Sequence, residues 1–484
     1  MQKRSLLSSA FLPLRTDSDS RHTAAAFPRP LSPIWFPRLT KKIMKSNLYA
    51  SNVYRRISMK FKSLAKISLA LSLACASVSS YAEDTIKIGV LHSLSGTMAI
   101  SETTLKDTVQ MLVDEQNKKG GVLGKKIETV VVDPASNWPL FAEKARELIS
   151  KDKVSAIFGC WTSVSRKSVL PVVEELNGIL FYPVQYEGEE SSKNVFYTGA
   201  APNQQAIPAV DYLLKQGVKR WALVGTDYVY PRTANKILEA YLKSKGFKDE
   251  DIMISYTPFG HSDWQSIVSD IKKFGTAGKK TAVVSTINGD ANVPFYKELS
   301  NQGISAKDIP VVAFSVGEEE LSGIDTKPLV GHLAAWNYFE SVDSDANDDF
   351  IEEWHKYTGD EKRVTNDPME ATYIGFNMWV KAVEKAGTTE SNAVQDALIG
   401  VTVPNLSGSY ATMMPNHHIT KPVLIGEIQE DGQFQVVDET PTTVVADEWS
   451  DYLPGSKDLI ADWRKPLSCG NFNVKTGKCG GSSK

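Results

Sequence analysis

From residue 85 to residue 314 the chain repeats one rhythm twice: a short apolar run, a turn bearing Ser, Gly or Asn, then a stretch of helical periodicity. The first round places strands at 85–91 (TIKIGVL), 127–132, 156–159 and 179–182, with helices over about 101–118, 139–150 and from 163. The rhythm restarts after Ala201-Pro202-Asn203 with strands at 221–224, 253–256, 282–285 and 311–314, and helices near 232–245, 264–274 and 293–301. Strands separated by helices cannot pair as hairpins; they pair through right-handed βαβ crossovers and build parallel sheets. Two successive units predict an α/β protein of two parallel-sheet lobes with a cleft between them, and ligands in such sheets sit beyond the carboxyl ends of the strands.

Past Gly331 the pattern changes. A strand at 332–338, the acidic run SVDSDANDD, helices near 349–357 and 371–386, and a hairpin of 422–428 with 434–437 around Glu430-Asp431-Gly432 form a tail that returns to complete both lobes. The expected division is therefore 83–202 with about 340–400 in lobe 1, 203–339 with about 401–450 in lobe 2, and 451–484 as a terminal tail.

The first 82 residues follow neither rhythm. Residues 1–58 carry scattered Arg, Ser and Pro with no core-building period, and read as a non-native upstream extension or disordered sequence. From Met59 a basic start (Lys60, Lys62, Lys66), a short apolar run over 67–76 and Ser80-Tyr81-Ala82 form a cleavable signal peptide, which places the rest of the chain in the periplasm. Residues 1–82 hold 14 Lys and Arg against Asp17 and Asp19, so removing them leaves 40 basic and 55 acidic residues, about −15. That balance argues against a nucleic-acid partner, whose phosphates call for Lys and Arg. Of four cysteines, Cys469 and Cys479 bracket a Gly- and Asn-bearing loop and are expected to form a disulfide in an oxidising compartment. Cys160 is left as a small buried thiol.

The segment 159–189, GCWTSVSRKSVLPVVEELNGILFYPVQYEGE, hangs polar groups and aromatic rings on two strand ends and reads as half of a pocket for a small, flat, polar molecule. Ser163 falls at the start of the helix after the third strand, where its hydroxyl and the free backbone N–H groups can serve a carbonyl oxygen. Thr162 or Ser163 can equally be the helix cap. Trp161, Tyr182, Tyr186, Tyr228 and Tyr230 offer a ring to stack and a polar tip to bond, and the last two fall at the first strand–helix turn of the second lobe. Glu187, Asp290 and Asp227 are the carboxylates placed to accept N–H donors, each with a plain alternative as cap or surface charge.

Catalytic patterns are missing. Ser163 lacks a G-x-S-x-G setting, and the histidines show no H-E-x-x-H spacing. His417 and His418, as neighbours on an extended strand, point to opposite faces and cannot share one metal ion. Glycines 120, 121 and 124 precede a strand rather than follow one, so they make no phosphate cradle. A binding protein without cofactor or metal fits better than a hydrolase.

Several motifs in order carry a resemblance: DTIKIGVLHSLSGTMAISE from Asp84, FGCWTSVSRKSVLPV from Phe158, FYPVQYEGEE from Phe181, TGAAPNQQ from Thr198, GTDYVYPR from Gly225, INGDANV from Ile287 and PNHHITKPVLIGEIQEDGQF from Pro415. Over nearly all of the chain past residue 82 this resembles the urea-binding proteins of bacterial urea ABC transporters, within the type I periplasmic binding proteins. It is similar, less closely, to the cytoplasmic amide sensor of amidase operons. The resemblance implies two Rossmann-like lobes joined by three crossing segments, closing on urea and delivering it to an inner-membrane permease, the protein acting as a monomer. It also supports Ser163, Tyr182, Tyr186, Tyr228 and Tyr230 as pocket residues, and with Trp161, Thr162, Val184, Glu187 and Asp290 they make up the expected site. The amide sensor carries tyrosine where Trp161 stands and threonine where Val184 stands, so short amides remain an alternative ligand. So do branched-chain or polar amino acids, whose ammonium also needs a carboxylate, and an amide-sensing or amide-hydrolysing role is the remoter reading.

Overall fold

The computed structural model describes residues 85–276 and 278–453, and the backbone of three further strands, Leu459–Asp462, Cys469–Asn473 and Lys478–Cys479. The extension and signal peptide read over 1–82 lie outside the described residues. So do the side chains of Cys469 and Cys479; the described backbone sets Cys479 opposite Phe472.

The first sheet has the order β2-β1-β3-β4-β5, where β1 is Ile86–Leu91, β2 Ile127–Val132, β3 Ile157–Gly159, β4 Leu180–Tyr182 and β5 Val195–Tyr197, all paired in parallel. Helices α1 (Ala99–Lys118), α2 (Trp138–Ser150) and α3 (Ser163–Glu175) make the crossovers. Both faces of the sheet are covered, so β1 reads as an almost unbroken apolar run, with Ile88, Val90 and Leu91 fully buried.

The second sheet has the order β14-β13-β10-β9-β8-β6-β7. Here α4 (Ala206–Lys215) leads into β6 (Arg220–Thr226), followed by α5 (Val229–Ser244), β7 (Ile252–Thr257), α6 (Gln265–Gly275), β8 (Thr281–Thr286), α7 (Asn292–Asn301), β9 (Val311–Ala313), the single turn α8 (Glu318–Leu321) and β10 (Leu333–Trp336). Strands β6 to β10 run parallel; the late hairpin β13 (Leu424–Ile428) and β14 (Phe434–Glu439) is added antiparallel at the β10 edge.

Between the second sheet and its hairpin, α9 (Asp345–Thr358), α10 (Asp367–Ala386), α11 (Ser391–Leu398) and the small hairpin β11 (Thr402–Pro404) and β12 (Tyr410–Thr412) return to the first lobe. Asn366 caps α10, accepting from the Met369 N–H at 3.2 Å, and Gly387 ends it at φ 65°, a conformation that favours glycine. The division of the tail differs from expectation. Val401, Val403, Leu406, Ala411, Met413 and Ile419 pack in the first lobe's core with Trp379 and Val383, so that core keeps the chain to about residue 419. β13 and β14 go to the second, where Tyr452 also packs, 4.9 Å from Tyr241 between ring centroids. An apolar hairpin is placed by the face that buries it, which strand spacing cannot reveal.

Three segments cross between the lobes and are tied together. The Asn337 amide donates to the Gln204 carbonyl at 2.9 Å and to the Pro422 carbonyl at 2.6 Å, and Gln204 Nε2 donates to the Ile419 carbonyl at 2.9 Å. A side chain at Gly199, next to the first crossing, would meet the Val184 backbone at 2.1 Å, so that approach requires glycine. Among the described residues no helix is long and apolar enough to cross a membrane.

Candidate functional site

The site grows from the carboxyl ends of β3 and β4. Cys160, just past β3, takes φ 66°, rare for a residue with a Cβ, while its N–H donates to the Leu91 carbonyl at 2.9 Å. That turn delivers Trp161 and starts α3. Thr162 is the cap: its hydroxyl accepts from the Ser165 N–H at 3.1 Å. Ser163, released from capping, donates its hydroxyl to Glu187.

Around that contact lies a cluster buried from solvent. Arg166, one turn into α3 and fully buried, donates from Nη1 to Ser163 Oγ at 3.1 Å, from Nη2 to Glu187 Oε1 at 3.3 Å and from Nε to Glu190 Oε1 at 2.8 Å. Lys167 Nζ donates to Glu190 Oε2 at 2.6 Å. The guanidinium carbon lies 4.6 Å from the ring centroids of both Tyr182 and Tyr186, a cation–π geometry on two walls. Tyr182 donates to the Trp161 carbonyl at 2.5 Å, and Tyr197 donates to Glu190 Oε1 at 2.8 Å. Burial works against the Glu190 charge, but Arg166 and Lys167 outweigh it and hold its carboxyl far below the usual range. Burial pushes the Tyr182 and Tyr186 phenols well above their ordinary value, Arg166 opposing, so both remain neutral hydrogen-bonding groups.

The second lobe closes over this cluster. Tyr228 immediately precedes α5 without a side-chain capping bond, and Tyr228 and Tyr230 pack with Val164 of α3 in one small apolar cluster. Phe259 joins them, 4.8 Å from Tyr228 and 5.2 Å from Trp138 of the first lobe between ring centroids. Burial raises the Tyr230 phenol and the charge of Glu187 raises it further, with Gln185 and Ser315 opposing. Elsewhere along the seam the Asp290 N–H donates to the Thr97 carbonyl at 3.3 Å, and the Ser101 hydroxyl donates to Glu320 Oε1 at 2.6 Å. Three buried polar atoms of this region lack a hydrogen-bond partner among the described residues: Trp161 Nε1, the Tyr230 hydroxyl and Gln185 Oε1. Buried polar atoms are usually paired, and Trp221, Trp354 and Trp379 Nε1 and the Tyr296 hydroxyl are further exceptions elsewhere in the molecule.

Of the residues predicted from sequence, the structure brings together Trp161, Ser163, Tyr182, Tyr186, Glu187, Tyr228 and Tyr230. Thr162 is beside them but occupied as a cap, and Val184 is buried in the first-lobe core. Asp290 is not brought in. Its carboxylate is exposed in the turn before α7, and only its backbone reaches the other lobe. Asp227 is likewise an outer residue, ion-paired with Arg232. The reason is the same for both: a charged residue ahead of a helix lowers its energy in solvent, whereas Glu187 is buried because Arg166 and Ser163 meet it. His417 and His418 stack on successive residues of β5, Phe196 at 4.5 Å and Tyr197 at 4.4 Å, and therefore lie on opposite sides. No metal-holding group of side chains occurs among the described residues.

Sequence reasoning missed Arg166, Lys167, Glu190 and Gln185. A signal was available in Arg166 and Lys167: two cations in the first turn of a helix oppose its dipole, and need a buried anion to hold them there. The open surface hollow of about 760 Å³ along α9, lined by Asp348, Glu352, His355 and Lys356, lies away from the strand ends and gives a small ligand no enclosure.

Two parallel-sheet lobes, three crossing segments and a polar, aromatic site buried where the lobes meet define a two-lobed solute-binding protein. The chain belongs to the periplasmic binding protein domain family, whose pattern matches residues 86–455. It is 25% identical over 383 residues to the Leu/Ile/Val-binding protein homolog 6 of Brucella melitensis, covering 77% of this chain and 93% of that one. It is 26% identical over 406 residues to homolog 7 of the same organism, covering 78% and 96%. Among solved structures it is similar to an ABC transporter solute-binding protein of Rhodopseudomonas palustris HaA2 in complex with p-hydroxybenzoic acid, with a TM-score of 0.67 at 24% identity over 76% of this chain and 99% of that one. An amino acid ABC transporter substrate-binding protein of Pseudomonas fluorescens Pf-5 matches with a TM-score of 0.64 at 18% identity over 75% and 97%.

Proposed function

We propose that this protein is the periplasmic receptor of an ABC importer for urea or a short amide, which it traps between its lobes and hands to the permease, without chemical conversion. One observation carries the choice of ligand. Both cations of the site, Arg166 and Lys167, are already bonded to Glu187 and Glu190, so neither is free to meet a carboxylate. A benzoate or an amino acid would have its carboxylate met there by hydroxyls and backbone N–H groups alone, whereas a planar amide brings no charge to match. What the cleft offers instead is the Glu187 carboxylate as an acceptor for N–H groups, donors at Trp161 Nε1 and Tyr230 for a carbonyl oxygen, and flat aromatic walls. A site built around N–H and C=O groups rejects analogues that leave its own groups unpaired.

A thermal-shift screen of the chain from Glu83 tests this reading, because a ligand that binds only the folded state raises the melting temperature. Urea, acetamide or formamide is expected to give the largest rise, and leucine, valine and 4-hydroxybenzoate little or none. A leading response to an amino acid or a benzoate would replace the amide reading, and release of ammonia from urea or an amide would make the protein an enzyme.

A further inference from the structure

The cleft holds two buried cations, Arg166 and Lys167, and two buried carboxylates, Glu187 and Glu190, within one hydrogen-bonded cluster. The pairs are not equivalent. Lys167 is bonded to Glu190. Arg166 reaches both acids and Ser163, and its guanidinium lies over the rings of Tyr182 and Tyr186. Of the other ionisable groups nearby, burial lowers His418 to about 4, which leaves it neutral, Glu102 is turned to His92 at 3.3 Å, Glu189 accepts from the Ser450 N–H at 2.9 Å, and Glu448 accepts from the Asn416 amide at 2.6 Å.

We infer that Arg166 is a specificity-determining residue that sets the charge class of the ligand: by pairing Glu187 it makes the cleft electrically neutral, admitting an uncharged planar amide and turning away its cationic and anionic isosteres. The reasoning is electrostatic. A ligand enclosed between the lobes loses its water, so an unmatched charge on either partner is costly in the closed site. With Arg166 and Glu187 both present, a guanidinium ion brings an excess positive charge and acetate an excess negative one. Urea and acetamide bring none. Arginine suits the role because its rigid fork holds Ser163 and Glu187 at a fixed spacing while still bonding Glu190, which a lysine ammonium cannot do. Arg166 thus acts through Glu187 and the tyrosines as a positioning residue as well.

This inference rests on the amide reading, and the experiment separates the two. Calorimetry would rank urea, guanidinium, acetamide and acetate, four planar molecules of similar shape, at millimolar concentrations on the wild-type chain and on Arg166→Gln, Arg166→Lys and Glu187→Gln. The wild type is expected to prefer the neutral pair. Arg166→Gln uncovers a carboxylate and should reverse the urea-to-guanidinium preference by about tenfold or more, whereas Arg166→Lys keeps the charge and the preference while binding urea more weakly. Glu187→Gln uncovers the guanidinium and should move the preference from acetamide toward acetate. That isosteric variant removes a charge rather than a packed side chain, so it decides the matter should Arg166→Gln not fold. A folding defect alone weakens all four ligands together and leaves their order unchanged. If the wild type takes urea and neither Arg166→Gln nor Glu187→Gln reorders the ligands, the inference is wrong and the amide reading stands; if the wild type takes neither urea nor acetamide, the amide reading itself falls.

Discussion

Trp161 is a core side chain to which the proposed function also assigns recognition. It is 2% exposed and belongs to the first-lobe core, while its indole N–H has no partner among the described residues. Truncation to alanine would open a cavity and cost about 3–5 kcal/mol, confounding binding with stability. The cleaner change is Trp161→Phe, which keeps the ring and removes the donor: urea affinity measured by calorimetry should fall about tenfold, the worth of one hydrogen bond to a buried polar ligand, with the melting temperature within a few degrees of wild type. Tyr182→Phe should be worse for stability, because the Trp161 carbonyl loses its donor in a dry site, at about 1–3 kcal/mol. Cys160 makes the opposite point. It is buried, and burial pushes its thiol far above the ordinary value. Iodoacetamide followed by peptide mass mapping should leave Cys160 unmodified in the native protein and label it only after unfolding. From sequence, the type of these residues and their place at strand ends were legible. Whether a polar atom would find a partner was not, since that depends on groups distant in the chain, as Gln185 bonding to Ser315 illustrates.

At the scale of elements, the turn α8 and helix α1 form a latch between the lobes. Ser101 on α1 donates to Glu320 on α8, and burial pushes Glu320 up to about 7, with the Ser101 and Gly317 hydrogen bonds opposing. Opening the lobes would return Glu320 toward water and toward an ordinary glutamate value near 4.5. The sign follows. The closed form holds the proton more tightly, so below about 4.5 both forms are protonated and closure costs nothing extra. As pH rises toward 7 the open form ionises first and closure is penalised, by up to roughly 3 kcal/mol. Above 7 the penalty is constant. Ligand affinity is therefore expected to fall between pH 5 and 7 and then level off, and Glu320→Gln should flatten the profile. An affinity that rises with pH in wild type would remove Glu320 from the closing step. Strand and helix periods revealed α1 in advance; the single turn α8 is too short to leave a period. Its three successive glutamates look like solvated surface until the fold buries two of them.

For the whole molecule, the decisive region is where the three crossings meet. Lys421, 1% exposed, lies 3.7 Å from Glu370 and 3.9 Å from Asp367 and donates to the Thr198 carbonyl at 3.1 Å. Two carboxylates share one ammonium, and burial pushes Glu370 up to about 7. Lys421→Met should strip both acids of their counter-charge and cost about 3–5 kcal/mol, read as a lower melting temperature; adding Glu370→Gln should restore part of the loss, since it removes one of the two stranded charges. The alternation of apolar runs and helical periods determined on its own that the chain would form two parallel-sheet lobes, with Trp161, Tyr182 and Tyr186 at or just past the strand ends where the proposed site lies. That much is local: period decides the element, and chirality decides the crossover. Only the tertiary structure decided that residues 401–419 join the first lobe, that Glu187 is buried while Asp290 is not, and that Arg166 lies at the centre of the buried charge cluster. Those outcomes depend on which charges and faces meet after folding, and partners that stabilise a buried charge are chosen by proximity in space rather than along the chain.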